Sequence, residues 1–396
     1  MKFVRQLRLI TLLKLVAIIG SFGTSVFATE SPEGRYIAVL KETVESSART
    51  VAQNAGLRDR IGHTFDHGRK GFVFDGDGAL AEMIERHPMI AWVEPDVRIE
   101  GGSVPWGLDR INQIDLPLDG NGFAGSGAGV DIYIMDSGVS PLPEFGSRIV
   151  GAVSFRAGES TADCNGHGTA VASVAAGSTY GVARAASIWN LRVLGCDGSG
   201  WVSDWIVALD WIRARHQNNP GLRGVVNMSL LSNSPSVALD EKIRDVVQAG
   251  VVAVVCGGNS PVDACSNSPS RTGHPSYIPN NMSGFSAISV GWTDQTDAKN
   301  PSSSFGGCID LFAPGTAIPA LDQYGTEWPW YGCSFAVPHV AGIAAVFWNN
   351  DPSANPSMME GYIKSRAIDE RLTNIGAGSP NSLLCSIWRV RAVSRR

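Results

Sequence analysis

Four short apolar runs, at residues 130–135, 188–194, 225–230 and 251–257, each have the length of one buried strand. A strand that is apolar on both faces has to be covered on both faces, which is the situation of a parallel sheet between helices. Segments with helical spacing and length, 202–216 and 237–249, stand between these runs and supply both the cover and the crossovers that parallel strands need. The expected fold is therefore α/β: a doubly wound, mostly parallel sheet with helices on both faces. In such sheets chemistry gathers beyond the carboxyl ends of the strands, so the residues that follow the apolar runs carry the interest.

The first run ends in Asp136-Ser137-Gly138, which puts Asp136 at a strand's carboxyl end, although Asp before Ser-Gly is also an ordinary turn signal. Downstream, Asp163-Cys164-Asn165-Gly166-His167-Gly168-Thr169 runs into a small-residue helix, and the glycines beside His167 permit close backbone approach. Further on, Tyr331-Gly332-Cys333-Ser334-Phe335-Ala336 sets Ser334 where an apolar helix begins. A serine there is most often an N-cap. It is also well placed as a nucleophile, since the first N–H groups and the positive end of the helix favour the oxyanion formed on attack at a carbonyl. The run 251–257 reads as a buried strand that leads through Gly258 into a Gly-Asn turn at Asn259. An imidazole to move the serine proton, a carboxylate to fix its tautomer and an amide facing the oxyanion suffice for acyl transfer, with no cofactor needed for bond cleavage.

In this order, Asp, His, Gly-Gly-Asn and Ser, the motifs resemble those of the subtilisin-like serine proteases, and within them the proteinase K branch and its secreted bacterial relatives. The resemblance implies a triad of Asp136, His167 and Ser334, with Asn259 and the Ser334 N–H as the oxyanion donors. It also implies that Gly198-Ser199-Gly200 and Ser229-Leu230-Leu231 pair as strands with an extended substrate, and that Gly257 and Gly258 line the same cleft. Main-chain pairing of this kind accepts many sequences and leaves selectivity to side-chain pockets. Relatives usually carry glycines where Leu231 and Ser232 stand, so Leu231 is expected to narrow or shift the pocket for the residue before the scissile bond. Cys333 and Phe335 replace the usual Thr and Met beside the nucleophile, and Ala170 stands where a second histidine is common.

The family pattern pairs Cys164 with Cys196 and Cys265 with Cys308. Of the seven cysteines this leaves Cys256, Cys333 and Cys385. The first two lie in motifs that converge, so a third bridge is open to them, but free thiols are the favoured expectation. A structural calcium ion is implied as well, at Asp109, Gln113, Asp119 and Asn121, with Asn112 in place of a carboxylate and Asp310 as a ligand elsewhere. Oxygen donors suit a hard cation; the alternative, ordinary surface and turn polar residues, stays open.

Ahead of this region, Lys2, Arg5, Arg8 and Lys14, a short apolar run and Ser25-Val26-Phe27-Ala28 read as a signal peptide over 1–28. Residues 29–102, with strands at 35–40 and 91–97 and a helix at 78–87, form a small α+β unit that resembles the family's propeptide, a folding aid and inhibitor cut away near 100–103. The catalytic domain is expected over 103–385 and a basic tail over 386–396. With 32 basic against 37 acidic residues, a formal net charge of −5, nothing points to nucleic acid. The expectation is a monomeric endopeptidase acting on proteins and peptides. It is secreted to the exterior, or to a periplasm, and has no membrane association after signal cleavage. A weak or inactive peptide-binding member of the family is the alternative, motivated by Cys333, Phe335 and Leu231. An esterase side activity is the other, against the missing Gly-x-Ser-x-Gly elbow at Ser334.

Overall fold

The computed structural model describes residues 34–96, 104–232, 234–277 and 286–387. The signal segment 1–28, the expected cut at 100–103 and most of the basic tail lie outside these residues. The chain divides into two compact units, Met1–Gly102 and Ser103–Arg396.

In the first unit, β1 (Arg35–Leu40), α1 (Ala48–Asn54), β2 (Ile61–Phe65), β3 (Gly71–Asp75), α2 (Gly78–Glu85) and β4 (Ile90–Pro95) follow in order. The strands form an antiparallel sheet in the order β2-β3-β1-β4. Ser47 and Asp77 cap the two helices by accepting from the Thr50 and Leu80 N–H groups. Phe72, Phe74, Leu40, Val51 and Ile84 make a small core between sheet and helices. The α2 helix and β4 end a residue or two earlier than the sequence pattern indicates, as frayed termini commonly do.

The second unit runs α3 (Trp106–Arg110), β5 (Asp131–Asp136), β6 (Ile149–Ser154), α4 (His167–Ala176), β7 (Ser187–Arg192), α5 (Val202–Asn218), β8 (Gly224–Met228), α6 (Val237–Gln248), β9 (Val251–Cys256), β10 (Ile288–Thr293), β11 (Leu311–Pro314), β12 (Ile318–Leu321), β13 (Glu327–Trp330), α7 (Cys333–Asn350), α8 (Pro356–Arg366), β14 (Ile368–Asp369) and β15 (Ser382–Leu383). The main sheet has the order β14-β15-β11-β10-β9-β8-β5-β7-β6, and every pairing in it except β14 with β15 is parallel. A separate antiparallel ribbon joins β12 to β13.

Both faces of the sheet are dry along its central strands. Ile132 and Ile134 of β5 pack toward α4 and α7, whereas Tyr133 and Met135 pack toward α5 and α6. Helix α7 is buried at every residue from 333 to 348, which is why its sequence is apolar all round and lacks an amphipathic stripe. From β5 the chain goes to β6 and β7 on one side and then to β8 on the other, so the β5/β8 boundary is a switch point, where α/β sheets form their clefts. Asp136 ends β5 at that boundary. Among the described residues no helix is long and apolar enough to cross a membrane.

Candidate active site

The start of α4 approaches the end of β5 so closely that a Cβ on Gly168 would lie 2.1 Å from the Gly138 carbonyl oxygen and 3.0 Å from the Asp136 Cβ. Only glycine fits there, and the consequence is that His167, the first residue of α4, lies against Asp136. His167 Nδ1 is 2.8 Å from Asp136 Oδ1, an oxygen that also accepts from the Ser137 N–H at 2.7 Å. Asp136 is fully buried, while the imidazole keeps 22% exposure. Burial pulls the His167 pKa down, but the charge and hydrogen bond of Asp136, with a further contribution from Asp163, outweigh it and hold the imidazole above its ordinary value of 6.5.

Asp163 is a second buried carboxylate behind this pair, and the sequence reading passed over it. Its Oδ1 accepts from Ser137 Oγ and from the Asn165 and Gly166 N–H groups; its Oδ2 accepts from the Thr169 N–H and hydroxyl. Ser137 Oγ in turn accepts from the Gly168 N–H at 3.0 Å. One acidic side chain thus ties the loop before α4, its first turn and the residue after Asp136 together. The available signal was an Asp shortly before a helix start, with a Thr on its first turn.

Ser334 is the second residue of α7. Its Oγ–H donates to the Ser229 carbonyl at 3.2 Å, and its own carbonyl accepts from Ser229 Oγ at 2.8 Å, itself a partner of Asn227 Nδ2 at 3.0 Å. The His167 ring packs edge-on against Phe335, centroids 5.6 Å apart, and against Trp330 at 6.5 Å, so the imidazole stands beside the helix start that carries Ser334. Gly332, at φ 119°, turns the chain into α7; a Cβ there would meet Asn259 Oδ1 at 3.0 Å. Asn259 Oδ1 accepts from the Cys333 N–H at 2.8 Å, which assigns the amide and leaves its Nδ2 as the donor end. Buried His339, further along α7, donates from Nδ1 to the Phe335 carbonyl at 2.7 Å, and burial lowers its pKa to about 4.

The expected substrate segments flank this site. Residues 198–200 are exposed beyond a tight turn in which the Gly195 N–H bonds the Ser199 carbonyl at 2.8 Å. Ser229 and Leu230 are buried at the end of β8, and Leu231 Cδ2 lies 3.6 Å from where a Cβ on Gly258 would be. Leu231 therefore spans the gap toward the Gly257-Gly258 segment. An open cavity of about 420 Å³ lies beside Trp330, lined by Asn165, Asp322, Gln323, Trp328 and Pro329.

Three disulfides join Cys164 to Cys196, Cys265 to Cys308 and Cys256 to Cys333. The third corrects the expectation of free thiols: β9 ends where α7 begins, with the two Cα atoms 5.4 Å apart, within the span of a disulfide. Cys385 is buried, and its sulfur accepts from the Ile387 N–H.

Two further expectations concern metal. Asp109 Oδ2 accepts from the Gly120 N–H at 2.9 Å, while Oδ1 is buried with no hydrogen-bond partner among the described residues. Burial, together with the facing Asp119 carboxylate, raises the Asp109 pKa. Gln113 spends its amide on the same loop, donating to the Asp115 and Pro117 carbonyls and accepting from the Asp119 N–H; the Asn121 N–H donates to Asp119 Oδ1 and its carbonyl accepts from Asn112 Nδ2. Two facing carboxylates with an unpaired buried oxygen fit a hard cation. Asp310 does not serve as expected: Lys364 Nζ lies 2.6 Å from its Oδ1 and the Ser289 N–H occupies Oδ2 at 2.8 Å, so an ammonium already supplies the positive charge.

Comparison with known proteins decides the family. The Subtilase family pattern (Peptidase_S8) matches residues 127–383. This chain belongs to the subtilase family. An alkaline serine exoprotease A from Vibrio alginolyticus is 37% identical over 377 residues, covering 89% of this chain and 67% of that protein. An extracellular serine proteinase from Thermus sp. (strain Rt41A) is 34% identical over 90% of each chain, and proteinase R from Parengyodontium album is 31% identical over 88% of each. A crystal structure of a cold-adapted subtilisin-like serine proteinase superposes with TM-score 0.66 at 39% identity, covering 73% of this chain and 100% of that one. The subtilase is a serine-type endopeptidase, and its substrates are proteins. Catalysis in this family needs no cofactor.

Proposed function

We propose that the protein is a secreted endopeptidase in which Ser334 attacks the scissile carbonyl, His167 takes the serine proton and returns it to the leaving amine, and Asp136 fixes the imidazole and offsets its charge. The Asn259 amide and the Ser334 N–H receive the oxyanion; water then releases the acyl group by the same steps in reverse. The observation that carries the reading is the 2.8 Å contact of His167 with the buried Asp136, beside the helix start that bears Ser334. In the ground state the Ser334 hydroxyl donates to the Ser229 carbonyl, and a turn of the Ser334 side chain toward His167 begins the reaction.

In this reading residues 198–200 and 229–231 pair with substrate, and Leu231 restricts the pocket before the scissile bond. Residues 29–102 act as inhibitor and folding aid in a monomeric zymogen, after removal of residues 1–28 on export. Asp109 and Asp119, with Gln113 and Asn121, would hold a structural calcium ion, whose charge would offset two facing carboxylates. The full chain expressed beside Ser334→Ala tests the reading. The parent should be cut near residue 102 and the variant should stay full length; equal processing of both would count against it.

A further inference from the structure

We propose that the Cys256–Cys333 bridge is a positioning element of the oxyanion site, fixing the distance between Asn259 and Ser334. The inference rests on the active-site reading above. Cys256 is the last residue of β9 and Cys333 the first of α7, so the bridge joins the strand that leads to Asn259 to the helix that carries Ser334. Only Gly257 and Gly258 separate Cys256 from Asn259, and neither has a side chain with which to anchor the turn. The turn is held instead by backbone bonds, Gly257 N–H to the Val290 carbonyl at 2.9 Å and Ser304 N–H to the Gly258 carbonyl at 3.2 Å, and by the Cys333 N–H on Asn259 Oδ1 at 2.8 Å.

That last bond and the disulfide share one residue. Cys333 holds the β9 end through its sulfur and Asn259 through its N–H, and it is adjacent to Ser334. A shift of α7 along β9 would therefore move the oxyanion donor and the nucleophile apart, and displacements of about 1 Å at such a site can cost about 10²-fold in rate. Both sulfurs lie in the core, with Cys256 1% and Cys333 0% exposed. Dissolved thiols do not reach them in the folded enzyme, so the bridge acts as a permanent brace and not as a switch. It closes during folding by exchange with a disulfide of the oxidising exterior, which leaves as two thiols while the two cysteines lose their protons.

The test uses the full chain, expressed and processed normally. Mapping of disulfide-linked peptides from the parent enzyme should connect Cys256 with Cys333, and finding them unlinked overturns the inference without any variant. C256S/C333S should then lower kcat on a peptide amide about 10–100-fold with KM within about twofold. In that background N259A should cost at least about tenfold less than in the parent, because the amide is already displaced. An unchanged kcat, or fully multiplicative effects, overturns the proposal. If C256S/C333S does not accumulate, C256A/C333T, with the threonine usual in relatives, gives the same comparison. A parent enzyme in which N259A alone is silent overturns the oxyanion assignment itself, a failure separate from that of the brace.

Discussion

Ser229 Oγ donates to the Ser334 carbonyl, the acceptor that Pro338 leaves unpaired four residues further along α7. Proline has no N–H, so the first turn of this buried helix would carry an unsatisfied carbonyl next to the nucleophile. Ser229 supplies the missing donor, and its backbone oxygen receives the Ser334 hydroxyl in return. Ser229→Ala should cost about 1–3 kcal/mol of stability by leaving that carbonyl unpaired. Denaturant unfolding at neutral pH measures it; a loss under about 0.5 kcal/mol would show that the carbonyl is satisfied otherwise.

The pH dependence follows from His167. The neutral imidazole is the base, so kcat/KM rises with pH as His167 loses its proton, and because its pKa is raised the acid limb should lie above 6.5. Asp163→Asn removes a charge that contributes to the raised value and should move the limb to lower pH. Asp136→Asn should lower kcat by about 10⁴ through loss of the correct tautomer. Full kcat/KM profiles check all three; a limb that is unmoved in Asp163→Asn would remove Asp163 from the electrostatics of the site.

Specificity should respond to Leu231. Its Cδ2 approaches Gly258 across the expected pocket, so the parent should prefer small residues before the scissile bond. Leu231→Gly should raise kcat/KM for a large apolar residue there by about 10–200-fold relative to alanine, the range that pocket shape supplies. A peptide library cut by both proteins decides it, and identical profiles would place the pocket elsewhere.

Acid should also weaken the fold. His216, bonded to Tyr133 OH at 2.9 Å, and His339 are buried, and burial lowers both pKa values to about 4. Between pH 6.5 and 4 the unfolded chain binds protons that the native chain does not, so stability falls as pH drops through that window. The loss is about 3 kcal/mol per histidine at its full extent. Melting curves at pH 7 and pH 4.5 should differ less in His339→Gln than in the parent, provided the variant folds; equal differences would remove His339 as a source of the acid lability.

The sheet and the three separated motifs were legible because each is a local signal: apolar runs of strand length, and Asp136, His167 and Ser334 at a strand end or helix start. The Cys256–Cys333 bridge was not, since it depends on where α7 lies along β9, a tertiary register that no local pattern encodes. Asp310 misled for a related reason. A carboxylate of ligand type looks the same in sequence whether a cation or Lys364 stands beside it. The β12–β13 ribbon, which brings Trp330 to His167, escaped because Pro319 and Pro329 break the strand pattern on both arms.

The most direct measurement is the rate at which a fluorophosphonate modifies the processed enzyme, followed by peptide mapping. The account predicts one modified residue, Ser334, with modification slowed by orders of magnitude in His167→Ala and absent in Ser334→Ala. Modification at another serine, or peptide hydrolysis that persists undiminished in Ser334→Ala, would contradict it.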